Sequence, residues 1–250
     1  MLDNGLISPG ERLDDLQIPP EGGKPLRVIQ DPGGFCFGVD AVLLADFAKP
    51  PKGGSVADLG CGCGVIPLLL AAKTEAARIT GVEIQKNAAQ MAARSVLLNG
   101  LEGKITIIHG DLKTFGAASA YDTVTCNPPY KERGGGLLNP GDSLAIARHE
   151  VCCTLADVIK TAARILKPGG KLNIIHRPER LADLLCLMRE HRLEPKRMRF
   201  AHPSPRKTAV MVLTEAARGG RPKLFLEPPL YIHDEDGNDS EEIARIYGRR

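Results

Sequence analysis

At 250 residues, 43% of them hydrophobic and 25% charged, the chain can bury a substantial core and fits one large α/β domain, alone or with a small appendage. A net charge of +3 is too small to announce a general nucleic-acid binder, and the absence of tryptophan with only 4% aromatics argues against a broad base-stacking sheet. The longest apolar run, Val65 to Ala72, is too short to span a bilayer, and Met1 to Gly10 has neither the basic start nor the apolar core of a signal peptide, so a cytoplasmic protein without membrane contact is expected.

Residues 1–24 are polar and rich in glycine and proline, and read as an irregular arm with one short segment from Glu11 to Leu16. A short strand is expected over 26–30, then a helix from about Asp40, whose side chain would cap it. Lys49 to Gly54 reads as a hinge. It divides the chain into an N-terminal arm with a short strand and helix lid (1–49) and a main domain (50–250). From Ser55 onward strands alternate with helices. Strands are expected over 55–59, 78–84, 104–110, 122–126 and 171–176. Helices are expected over 65–73, 86–99 with Gly100 as the stop, 150–166 and 178–191. Two closing strands, 197–201 and 209–215, flank Pro203 to Lys207 and suit an antiparallel hairpin at one end of the sheet. The alternation predicts an α/β fold, a parallel sheet covered by helices on both faces.

Asp58-Leu-Gly-Cys-Gly-Cys-Gly64 follows the first strand of this series and opens a helix. Gly60 and Gly62 let the backbone approach a ligand, and the helix N-terminus supplies N–H donors. A dinucleotide turn would need its third glycine at position 65, which is Val65, and no phosphate-binding P-loop sequence occurs. The carboxylate of Asp58 at the strand end would repel a pyrophosphate and suits a ligand bearing a positively charged amino group. Glu83 closes the next strand, 25 residues beyond Asp58, where an acid can accept from both hydroxyls of a ribose. Ile84 offers a face for a planar base. Asp111 follows the third strand as an acceptor for an amino group on that base. Ligands of open α/β sheets bind at this carboxyl edge.

The strand over 122–126 runs into Asn127-Pro128-Pro129-Tyr130. Two prolines in succession fix two φ angles and end the strand. Asn127 offers a side-chain oxygen, Pro128 a backbone oxygen and Tyr130 a flat ring, which together suit a planar group carrying an NH2. The seven cysteines show no paired Cys-x-x-Cys motifs, so reduced, mostly buried thiols are expected, and no metal site. Cys126 precedes Asn127 at the end of a buried strand and reads as a core thiol rather than a nucleophile.

These features resemble class I S-adenosylmethionine-dependent methyltransferases, with Asn127 to Tyr130 as the motif of those that methylate amino groups. Phe35-x-Phe-Gly-Val-Asp-Ala-Val-Leu-Leu-Ala45, Ala147-Arg-His-Glu150, Pro228-Pro-Leu230, His233-Asp-Glu-Asp-Gly237 and Ile246-Tyr-Gly248 extend the resemblance to the bacterial tRNA1(Val) adenine-N6 methyltransferase-like family. Asn238-Asp239 departs from that pattern, which has an aromatic after the acidic box. The resemblance implies a Rossmann-like fold with a mostly parallel seven-stranded sheet and an antiparallel C-terminal hairpin. It implies S-adenosylmethionine as cofactor, held by Phe37, Asp40, Asp58, Gly60, Cys61, Gly62, Gly64, Glu83, Ile84, Asp111, Leu112 and Asn127. It implies catalysis by Asn127, Pro128, Pro129 and Tyr130, with substrate contacts from Tyr130, Lys131, Arg148 and His149. Adenine N6 in tRNA, near the anticodon, is the expected target. Glutamine N5 of a protein and guanine N2 of ribosomal RNA present similar NH2 groups, and a non-catalytic RNA-binding module retaining the cofactor pocket is the alternative of another class. The basic residues between Arg189 and Lys207 are either a phosphate-facing patch or solvated faces.

Overall fold

The computed structural model describes residues 5–17, 25–34, 36–128 and 153–249. Two short strands come first, β1 (Arg12–Asp15) and β2 (Arg27–Gln30), paired antiparallel. The expected irregular arm is therefore partly ordered as a ribbon, and it has a seat. Asn99 and Ser95 of the third helix accept the Arg27 and Ile29 backbone N–H groups at 2.9 Å, and Arg94 pairs with Glu11 at 2.6 Å.

Helix α1 (Val39–Phe47) follows. Its N-cap is Gly38, with no side-chain cap bond, and Asp40 sits one residue inside the first turn. The expected cap at Asp40 is thus corrected: its carboxylate turns to the Ala41 N–H at 2.9 Å and to Asn127. Then come β3 (Ser55–Leu59), α2 (Val65–Lys73), β4 (Arg78–Glu83), α3 (Lys86–Leu98), β5 (Ile105–His109) and β6 (Tyr121–Cys126). Pro67 stands at the third position of α2, where its missing N–H leaves no bond unmade. Gly100, at φ +66°, ends α3 as expected.

Helix α4 (Leu155–Ile165) begins at a capping box in which Thr154 and Asp157 exchange hydrogen bonds. Strand β7 (Leu166–His176) starts five residues earlier than expected, taking in Lys-Pro-Gly-Gly170 through an irregularity in its register with β6. A 3-10 turn at Pro178–Arg180 leads into α5 (Leu181–Glu190). Strands β8 (Leu193–His202) and β9 (Met211–Arg218) form the closing hairpin. Two-residue strands β10 (Phe225–Leu226) and β11 (Leu230–Tyr231) pair with β8, and α6 (Glu241–Ile246) closes the chain.

The main sheet runs β8-β9-β7-β6-β3-β4-β5, with β9 antiparallel to both neighbours and the rest of this path parallel. These are the seven strands expected; β10 and β11 add a short extension at the β8 edge. One apolar layer, with Leu43, Leu44, Leu68, Leu69 and Ile243, covers one face under α1, α2 and α6. The other, with Val158, Ile159, Leu172 and Leu184, lies under α4 and α5. No helix among the described residues is long and apolar enough to cross a membrane.

Candidate active site

Chain order reverses at β3. Strands β4 and β5 stack outward on one side of it and β6 lies on the other, so the carboxyl ends of β3 and β6 flank a topological switch point. Asp58 of β3 pairs in register with Thr125 of β6, and the Cys126 thiol donates to the Leu59 carbonyl at 3.1 Å. The glycine turn and Asn127 therefore leave the ends of two adjacent strands at the same level.

The turn folds as its glycines require. Gly60, Gly62 and Gly64 have φ of +75°, +54° and +87°, and a Cβ added at Gly60 or Gly62 would meet nothing within 4 Å. The open side of the turn can therefore take a ligand against bare backbone. Asp58 lies beneath, fully buried; its Oδ1 accepts from the Thr125 hydroxyl at 2.7 Å, and its Oδ2 has no hydrogen-bond partner among the described residues. Burial pushes this carboxyl up to about 7, against the Thr125 bond that favours its charge, and the nearby Glu83 adds to the rise. A buried carboxylate with a free acceptor fits an ammonium group, and that fit supports an aminoacyl-bearing cofactor at this corner.

Glu83 is also buried. Its two oxygens accept from the Gly62 and Gln85 backbone N–H groups at 2.9 and 2.8 Å, so it braces the turn while each oxygen keeps a further lone pair. Ile84, exposed beyond it, presents an apolar face. Asp111 lies two residues past β5, in a turn rather than on the strand, where it accepts from the Lys113 N–H at 2.9 Å and pairs with the Lys113 ammonium at 3.4 Å. Leu112 packs on the apolar layer under α4. Phe37 packs on the layer under α1, and its N–H donates to Gln30 at 2.9 Å, tying the β1–β2 ribbon to this end of the sheet.

Cys61, Cys63 and Cys126 are buried free thiols. Burial raises Cys61 and Cys126 well above the ordinary thiol range and Cys63 to about 12, so none is a ready nucleophile. The core-thiol reading of Cys126 holds.

Asn127 is half-buried, and its side-chain NH2 donates to Asp40 at 3.0 Å. Pro128 is buried behind it. Pro129, Tyr130, Lys131, Arg148 and His149 lie outside the described residues. The structure thus assembles Asp58, Gly60, Cys61, Gly62, Gly64, Glu83, Ile84 and Asn127 at contiguous strand ends, with Asp40 reaching in from α1.

The basic stretch is largely spoken for. Arg197 binds Glu215 and Glu227, Arg199 binds Glu242, Arg189 pairs with Glu194 and Arg206 with Glu235. Arg197 and Arg199 are thus taken up within the fold, whereas Arg189 and Arg206 stay exposed at the surface. The acidic tail is engaged too: Asp234 accepts from the backbone of Asp236 and Asn238, and Asp239 pairs with Arg249.

The family description "methyltransferase small domain" matches residues 25–190. A tRNA1(Val) (adenine(37)-N6)-methyltransferase of Aeromonas hydrophila is 28% identical, the match covering 89% of this chain and 93% of that one. Its counterpart from Porphyromonas gingivalis is 30% identical, over 84% and 86%. A crystal structure of a predicted O-methyltransferase from Agrobacterium tumefaciens superimposes with a TM-score of 0.68 at 25% identity, covering 84% of this chain and 95% of that one. The chain belongs to the methyltransferase small domain family and is an S-adenosylmethionine-dependent methyltransferase.

Proposed function

We propose that the protein methylates the exocyclic N6 of an adenine in tRNA, near the anticodon, and works in the cytoplasm. The relatives named for that reaction match over most of both chains. The observation that carries the reading is the half-buried Asn127 at the end of β6, beside the glycine turn of β3.

Asp58, Glu83 and the backbone of Gly60 to Gly64 would hold the cofactor through its ammonium, its ribose and its amino-acid carboxylate, and Ile84 and Asp111 would meet its base. Bound there, S-adenosylmethionine supplies a methyl group already activated by its sulfonium. The remaining difficulty belongs to the amine, whose lone pair is delocalised into the ring. Asn127 Oδ1 and the Pro128 carbonyl accept its two N–H bonds, fix its orientation and favour the positive charge that develops on nitrogen. Holding the nitrogen in line is worth several kcal/mol as positioning alone. The surplus proton leaves to water, so no general base is required.

Asn127→Ala is expected to abolish turnover while cofactor affinity stays within a few-fold, measured by calorimetry; normal turnover removes Asn127 from the mechanism. For the substrate, the purified chain is incubated with methyl-labelled cofactor and, separately, tRNA, ribosomal RNA, protein extract and small metabolites. Label in tRNA recovered as N6-methyladenosine is expected. Label in protein, in ribosomal RNA or on a small hydroxyl compound overturns the substrate, and label nowhere leaves a binding module.

A further inference from the structure

Asn127 is useful only one way round. An acceptor for an amine must present its oxygen, yet an amide in open water exposes NH2 and oxygen alike. One partner that distinguishes the two ends comes from α1, 87 residues away in sequence. Asp40, buried apart from 8% of its surface, takes the Asn127 Nδ2 on its Oδ2 at 3.0 Å. An ionised carboxylate accepts hydrogen bonds and cannot donate one, so chemistry alone dictates which end of the amide faces it.

Asp40 is itself held. Its Oδ1 accepts from the Ala41 N–H at 2.9 Å, inside the first turn, where the helix dipole favours a negative charge. Gly38 makes room for it: a Cβ there would come within 3.0 Å of that oxygen. The helix behind is a firm base, with Val42, Leu43, Leu44 and Ala45 at most 1% exposed.

We propose that Asp40 is the positioning residue for Asn127, holding its NH2 towards α1 so that its carbonyl oxygen is the end offered to the incoming amine. The proposal rests on the reading of Asn127 as the amine acceptor. It differs from the role as cofactor ligand that family resemblance gives Asp40. The carboxylate also polarises the amide, enriching its oxygen in negative charge as the reacting nitrogen turns positive.

The wild-type chain is compared with Asp40→Leu, Asp40→Asn, Asn127→Asp and the exchanged pair Asp40→Asn with Asn127→Asp. Three quantities are read: the Asn127 side-chain amide signal by 15N NMR without cofactor, the dissociation constant for S-adenosylhomocysteine by calorimetry, and kcat on the substrate found above. Asp40→Leu is expected to shift the amide signal towards that of a free carboxamide. Affinity should stay within about twofold while kcat falls about tenfold to a hundredfold, the scale of a small misplacement at a reacting centre. Asp40→Asn, which can face Asn127 either way round, falls between.

Asn127→Asp alone sets two carboxylates at hydrogen-bond distance and should be nearly inactive. In the exchanged pair the new amide donates to the new carboxylate, which keeps an oxygen for the amine, and kcat recovers at least about tenfold over Asn127→Asp. An unmoved amide signal in both Asp40 variants overturns the proposal. So does affinity that falls in step with kcat, which would make Asp40 a cofactor ligand, or an exchanged pair no better than Asn127→Asp. Should the wild-type chain methylate nothing offered, the substrate reading fails, and the amide signal still decides the contact.

Discussion

A carboxyl group that would ordinarily titrate near 3.8 and is lifted to about 7 by burial ties function to stability at a single residue, Asp58. Between those values the folded chain keeps a proton on Asp58 that the unfolded chain gives up. Its contribution to stability is therefore greatest in acid and is lost as pH rises to 7. Asp58→Asn retains the shape and removes the titration. Without cofactor the variant should be more stable than wild type at pH 8, by a few kcal/mol at most, and the gain should shrink towards pH 5, read from urea midpoints. The same variant should bind the cofactor poorly. A wild-type-to-variant gap that does not change between pH 5 and 8 would show that Asp58 carries no buried charge. Asp58 and Glu83 were legible in the sequence because acids at successive strand ends form a pattern along the chain. The Asp40–Asn127 bond was not. Composition and periodicity carry no trace of a contact between a helix start and a strand end so far apart, and Asp40 read instead as a helix cap.

Among the elements, the glycine turn and the strand beside it explain each other. Gly81 lies inside β4, where a glycine weakens a strand by propensity, and the sequence offers no reason for it. The reason is Cys61: a Cβ at position 81 would stand 2.8 Å from its sulfur and 2.9 Å from the Ile107 side chain. Gly81→Ala should push the turn off the sheet, costing about 1–3 kcal/mol by overpacking and at least about tenfold in cofactor affinity. Urea unfolding and calorimetry read the two effects, and unchanged affinity would uncouple the turn from its bed. Strand and helix identities were readable from alternation along the chain, because each element buries its own apolar face. Boundaries failed where tertiary pairing outweighs local punctuation. Lys-Pro-Gly-Gly170 looks like a stop after α4, yet β7 runs through it as an irregularity between its Leu166 and Lys171 pairs with β6. The arm looked irregular because β1 gains its order from Ser95, Asn99 and Arg94 of α3 through β2 and Glu11, partners invisible from within the arm.

Across the whole molecule, the closing hairpin is fastened to α1 by Arg197. Its guanidinium donates to the Phe47 carbonyl at 2.6 Å, stacks 3.8 Å above the Phe47 ring, and pairs with Glu215 and Glu227. Arg197→Met should destabilise the fold by about 1–3 kcal/mol, since Glu215 keeps Lys171 at 2.9 Å but loses its more buried partner. A urea midpoint equal to wild type would show the junction to be held by packing alone. Two members of a basic run in sequence, Arg197 and Arg199, thus became bracing, because acids from distant segments fold onto them. The adjacency of β3 and β6 has a wider consequence. In the reaction proposed above, cofactor and amine bind at the ends of neighbouring strands, about 4.8 Å apart, so backbone spacing sets the span across which the methyl group passes. Retargeting such an enzyme and recalibrating its transfer distance are separate problems.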